Sequence, residues 1–145
     1  MKARELMTAN PECITPDEPL SSVARMMRDL DVGMIPIVED TNSCKRKGVI
    51  TDRDIVVRHL AENHGDDHAV GDDMTDSNLH TVSADDDADR VLRMMRENQI
   101  RRVLVTDGDN CVKGVIAEAD VATHLGPMVT GQIIAEVSQP AQPVR

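Results

Sequence analysis

The residues with most chemistry to offer sit at a strand-to-helix step, Thr51-Asp52-Arg53-Asp54. At a helix start the backbone N–H groups lack intrahelical partners and, with the helix dipole, attract anions; the Thr51 hydroxyl adds another hydrogen bond. The same Thr51-x-x-Asp54 spacing is a capping box that needs no ligand, so binding and capping compete as readings. A second cluster, His59, His64 and His68 with intervening carboxylates, offers imidazole and carboxylate together, a donor set that suits zinc. Only His64 and His68 have plausible local spacing, and the segment reads as a solvated linker, so no metal site is expected; His124 has the same ordinary reading. No nucleophile–base arrangement is visible, and the expectation is binding without catalysis.

The elements that must position these residues come in two copies. Gly48-Val49-Ile50-Thr51-Asp52-Arg53-Asp54 returns as Gly114-Val115-Ile116-Ala117-Glu118-Ala119-Asp120, with an aspartate six places after the glycine in both. Each copy is preceded by a short helical turn ending in Met-Thr (Met7-Thr8, Met74-Thr75) and a short strand (Cys13-Ile14-Thr15, His80-Thr81-Val82). An acidic or proline-marked helix start then leads into an amphipathic helix: Leu20, Val23, Met26, Met27 and Leu30 in one copy, Val91, Leu92, Met94 and Met95 in the other. The methionine pairs read as core filler. Buried strands Met34–Val38 and Val103–Val105 follow, then the glycine-led strands and closing helices from Asp52 to about Ala61 and from Glu118 to about Leu125. The expected fold is α+β, two βαββα repeats packed by their sheets about a pseudo-twofold axis. Boundaries are placed at 1–66 and 67–126, with a C-terminal helix over 127–138 and a disordered tail over 139–145.

Composition narrows the function. There is no Phe, Trp or Tyr among 145 residues, so bases cannot be stacked on aromatic rings. A formal charge of -10 repels phosphate backbones and anionic lipid, which argues against nucleic-acid and membrane-surface partners. No apolar run approaches the roughly 20 residues of a membrane span, and the first residues lack the apolar core of a signal peptide, so a cytoplasmic protein is expected. Cys13, Cys44 and Cys111 are an odd number without a C-x-x-C pair, which indicates a reducing compartment and no disulfide framework. Cys44 and Cys111 fall in equivalent loops and read as two small loop residues, with a regulatory disulfide or an inter-subunit link as the alternative.

From Ala3 to Leu125 the chain resembles a tandem pair of CBS (cystathionine β-synthase type) domains. The resemblance rests on Met7-Thr8 and Met74-Thr75, the strand Ile35-Pro36-Ile37-Val38, and above all Gly48-Val49-Ile50-Thr51-Asp52-Arg53-Asp54. It implies a regulatory module that binds an adenosyl ligand (AMP, ADP, ATP, S-adenosylmethionine or NAD) in the cleft between repeats, needs no catalytic cofactor, and pairs into a flat homodimer. In this family the threonine contacts phosphate and the aspartate accepts from ribose hydroxyls, which suits a carboxylate able to take two donors at once. Carried over, one pocket joins Thr51, Arg53 and Asp54 to His80, Thr81, Arg101 and Arg102, with arginine suited to bidentate phosphate binding. The other joins Ala117 and Asp120 to Cys13, Ile14, Thr15, Met34 and Ile35 and is poorer in phosphate donors, because Ala117 stands where the first copy has threonine. The alternative is a stress-response interaction or scaffold module whose pockets stay empty and which meets an unidentified protein partner.

Overall fold

Amphipathic spacing decides where each helix lies. Leu20, Val23 and Met27 are the buried positions of α2 (Leu20–Leu30), and Ala88, Val91, Leu92 and Met95 those of α5 (Ala88–Asn98). Both helices end on a residue in the left-handed region, Asp31 (φ 54°) and Gln99 (φ 52°), where the chain turns into the following strand. The computed structural model describes residues 1–77 and 79–138. Its α+β architecture agrees with the expected class. The expected tail, 139–145, lies outside the described residues. Among them, no helix is long and apolar enough to cross a membrane.

The chain divides into two compact units that do not follow the sequence repeats end to end. The first-repeat unit comprises Pro11–Leu79 and Asp109–Val112; the second-repeat unit comprises Met1–Asn10, His80–Gly108 and the chain from Lys113.

In the first-repeat unit, β2 (Met34–Val38) pairs antiparallel with β3 (Arg46–Thr51), Met34 opposite Thr51. The strand expected at Cys13–Thr15 reduces to one parallel bridge, Ile14 to Ile37. Thr75 bridges Val49 on the far side of β3, with backbone bonds of 2.9 and 2.8 Å. The core gathers Ile14, Leu20, Val23, Met27, Ile35, Ile37 and Ile50 with Val70 and Met74 from the segment carrying α4 (Val70–Asp73). The closing helix departs from expectation. After one α-helical turn, α3 (Asp52–Asp54), residues Ile55–Leu60 wind as a π-helix, and the amides of Ala61 and His64 reach back five residues to Val56 and His59 carbonyls.

In the second-repeat unit the sheet order is β1-β6-β5-β4, formed by Thr8–Ala9, Val112–Ala117, Arg102–Thr106 and Thr81–Ser83. Thr8 lies opposite Val115, as Thr75 lies opposite Val49 in the other unit. The turn α1 (Ala3–Leu6) docks through Ala3 and Arg4 amides on Asp86 and Ala84 carbonyls, and Ala3 and Leu6 are fully buried. The core joins Val82, Val91, Met95, Val103, Val105, Ile116 and Val121 to Ile133 and Val137 of α7 (Pro127–Val137), which follows α6 (Glu118–Leu125).

Glycine opens both motifs because no side chain fits there. A Cβ on Gly48 would stand 2.7 Å from the Thr75 carbonyl oxygen, and one on Gly114 would stand 2.5 Å from Met7 Sδ and 2.9 Å from the Thr8 carbonyl oxygen. Each glycine thus admits a Met-Thr strand to the edge of its sheet.

The cysteine reading needs correction. Cys44 and Cys111 form a disulfide, their Cα atoms 4.7 Å apart, flanked by backbone bonds from Val112 to Cys44 and from Arg46 to Asn110. Both loops belong to the first-repeat unit, so equivalence in sequence became contact in space. With two of three cysteines joined, cysteine usage no longer argues for a reducing compartment.

Candidate functional site

Thr51 ends β3 in extended conformation and caps the turn that follows. The Asp54 amide donates to Thr51 Oγ1 at 3.1 Å, and Asp54 Oδ2 accepts from the Thr51 amide at 3.0 Å. Both halves of the capping box are therefore formed. The Asp54 carboxylate also accepts from Thr75 Oγ1 at 3.3–3.4 Å and has Arg58 Nε 3.6 Å away, while Arg58 donates to the Met74 carbonyl at 3.1 Å. Only 13% of the Asp54 side chain is exposed. Arg53 is exposed beside it.

The second copy keeps the aspartate's part of this arrangement. Asp120 Oδ2 accepts from the Ala117 amide at 2.7 Å, and Oδ1 accepts from Thr8 Oγ1 at 3.4 Å. An aspartate six places after glycine thus holds the backbone at the strand-to-helix step in both units, with or without a threonine to return the bond. The Glu118 amide donates to the Arg101 carbonyl at 3.2 Å, which places Arg101 and Arg102 next to the Ala117–Asp120 corner of their own unit. Arg101 is exposed and donates to Ser138 Oγ at 3.3 Å; Arg102 is half-buried.

The remaining expected residues fall as follows. Met34 sits opposite Thr51 in the sheet, and Ile14 and Ile35 are core residues. The Thr15 hydroxyl is hydrogen-bonded to the Asp17 carboxylate. Burial, then the neighbouring Glu12 carboxylate, pushes the Cys13 thiol up, so it is a weak nucleophile at neutral pH. His80 and Thr81 are half-buried in the second-repeat unit. Each expected pocket draws on residues of both units. Thr75, Thr8 and Arg58, which touch the aspartates, went unassigned; the repeated Met-Thr pair was the available signal for the two threonines.

The solvated-linker reading of the histidines needs correction. His59 is 6% exposed and Asp73 only 2%, and both belong to one cluster with His64 and His68. His59 Nδ1 lies 2.8 Å from Asp73 Oδ2, and His64 Nδ1 lies 2.8 Å from Asp73 Oδ1. Linker composition suggested solvation, but the linker folds back because α4 is anchored by bonds from Val70 and Gly71 amides to Glu18 and Pro16 carbonyls. That anchorage supplies the buried carboxylate the histidines meet.

The family model for the CBS domain matches residues 3–60 and again 70–126. The chain belongs to the CBS domain family. Hypoxic response protein 1 of Mycobacterium tuberculosis (strain ATCC 25618 / H37Rv) is 33% identical over 138 residues, 95% of this chain and 94% of that protein. A crystal structure of Hypoxic Response Protein I with two coordinated zinc ions is 32% identical and superposes with a TM-score of 0.74, covering 86% of this chain and 98% of that one. The CBS domain pair of protein MJ0100, solved with 5′-methylthioadenosine and S-adenosyl-L-methionine, is 25% identical with a TM-score of 0.76 over 87% of this chain and all of that one.

Proposed function

We propose that this chain is a non-catalytic regulatory module that binds an adenosyl ligand at its two aspartate corners. The observation that carries this reading is the repeated carboxylate. Asp54 and Asp120 occupy the same step in both units, each fixed by a backbone amide and a Met-Thr hydroxyl, and each retains acceptor capacity for a ribose diol. The adenosyl compounds bound by the MJ0100 pair support the ligand class. Arg101 and Arg102 add cationic charge beside Asp120, so a phosphate-bearing ligand is best served there, while the Thr51 corner supplies a hydroxyl. Ligand acts by shifting the population of conformations that a protein partner reads. Exposed Val56, Val57 and Leu60 on the π-helical segment provide an apolar face for pairing with a second copy.

Calorimetry with AMP, ADP, ATP, S-adenosylmethionine and NAD(H) tests the proposal. At least one ligand should bind, and Asp54→Ala or Asp120→Ala should weaken it by about 1–3 kcal/mol, the value of a lost charged hydrogen bond. Absence of binding by all of them would reject it. One observation favours a second reading, an interaction module with empty pockets: the Asp54 carboxylate already has its own amide, hydroxyl and guanidinium neighbours. That reading expects a partner-binding protein whose melting temperature no nucleotide moves. The zinc ions of the Hypoxic Response Protein I structure are a reason to include metal in the same screen.

A further inference from the structure

We propose that His59, His64, His68 and Asp73 form a four-ligand zinc site that fastens the linker after the first closing helix onto α4. The four residues come from three places in the first-repeat unit: the π-helical segment, the linker loop and the end of α4. One donor atom from each lies within 4.8 Å of all the others. In a tetrahedral site with bonds of about 2.0–2.1 Å, the donors stand about 3.4 Å apart, so side-chain rotation alone closes the set.

A carboxylate–imidazole network without metal accounts for three of the four residues and leaves His68 out. Both Asp73 oxygens are already satisfied at 2.8 Å by His59 and His64. His68 is then surplus, yet its Nδ1 is buried and without a hydrogen-bond partner, 3.8 Å from Asp72 Oδ2 and 3.9 Å from Asp73 Oδ2. Its ring is stacked on that of His64, centroids 4.0 Å apart and planes within 20°. A buried polar nitrogen left unpaired is destabilising, and a shared ion would give the His68 nitrogen a partner. Three nitrogens and one carboxylate suit zinc rather than calcium or magnesium, which take oxygen. Four protein ligands leave no open position, so the ion would be structural and would not activate water. Asp73 is followed directly by Met74 and Thr75, the residues that pack in the core and bridge β3, so the ion would hold the edge of the sheet in place.

The test uses the full chain, purified without a metal-affinity tag and stripped with chelator, then titrated with zinc against a chromophoric competitor. About one zinc per chain should bind, cobalt should give the intense visible absorption of a four-coordinate ion, and zinc should raise the melting temperature. His68→Gln is the decisive variant, because in the metal-free protein that nitrogen has no bond to lose. It should leave the metal-free protein folded and weaken zinc at least ~10-fold. His124→Gln and the Cys44→Ser/Cys111→Ser pair should retain zinc. No zinc and no cobalt spectrum in the wild-type protein, undiminished binding by His68→Gln, or loss of zinc with the cysteines would each overturn the site. None of these readouts involves nucleotide, so their failure leaves the adenosyl proposal standing and the converse also holds.

Discussion

The two aspartate corners share one backbone geometry and differ in how completely the protein uses it. At Thr51 the capping box is reciprocal and Asp54 also meets Thr75 and Arg58; at Ala117 only Asp120 caps, and its threonine contact is 3.4 Å. The units differ further in what holds them. The first-repeat unit carries the disulfide, the π-helix and the histidine cluster, whereas the second is closed by α7, with Ile133 and Val137 in its core and an Arg96–Glu136 ion pair at 3.2 Å. The two units share the aspartate's backbone bond and differ in their means of closure. The first unit is closed by a disulfide and a histidine–carboxylate cluster, the second by an added helix.

The largest test of that contrast is removal of the disulfide. Its two cysteines are 67 residues apart in sequence, for which loop entropy in the unfolded chain gives about 4 kcal/mol. Reductant, or the Cys44→Ser/Cys111→Ser pair, should lower the urea midpoint accordingly, and an unchanged midpoint would show that the first-repeat unit does not depend on its staple. Next come the glycines. Gly48→Ala and Gly114→Ala should each cost about 1–3 kcal/mol from overpacking. Gly48 should be the worse, because its backbone contact, the Thr75 carbonyl oxygen at 2.7 Å, is closer than the Thr8 carbonyl oxygen at 2.9 Å from Gly114, where the tightest contacts belong to the movable Met7 side chain. The smallest effect separates the aspartates in the absence of ligand. Asp54→Ala should destabilise by about 1–2 kcal/mol and Asp120→Ala by less, since fewer groups lose a partner there. Equal losses in chemical denaturation would mean that the corners are used alike.

Much of this was readable in the residues. Met34–Val38 was expected as a strand and is one, and α2 spans Leu20–Leu30, because short-range periodicity and burial agree at those places. Met27 and Met95 are buried as core filler. The aspartates, too, were found by their repeat. What could not be read depends on distant segments meeting. Cys44 and Cys111 read as small loop residues because what joins them is the 109–112 segment lying beside residues 44–46, a pairing no local pattern shows. The histidines looked solvated because their carboxylate, Asp73, follows at the end of a four-residue helix whose place is set by Pro16 and Glu18. No local pattern distinguishes a π-helix from an α-helix over six residues, so the winding of Ile55–Leu60 was out of reach.

The assignment of Met1–Asn10 to the second-repeat unit, and of Val70–Thr75 to the first, has a consequence during synthesis. At about 5–20 residues per second, the leading segment leaves the ribosome roughly 5–20 s before β6, the strand that receives Thr8, has been translated. Until then Ala3 and Leu6 have no core to enter, and the nascent chain must carry them exposed. The first-repeat unit, by contrast, needs Thr75 before Val49 has its edge partner and Cys111 before its cross-link can form. Neither half of the gene, cut at its apparent repeat boundary, would encode a finished sheet.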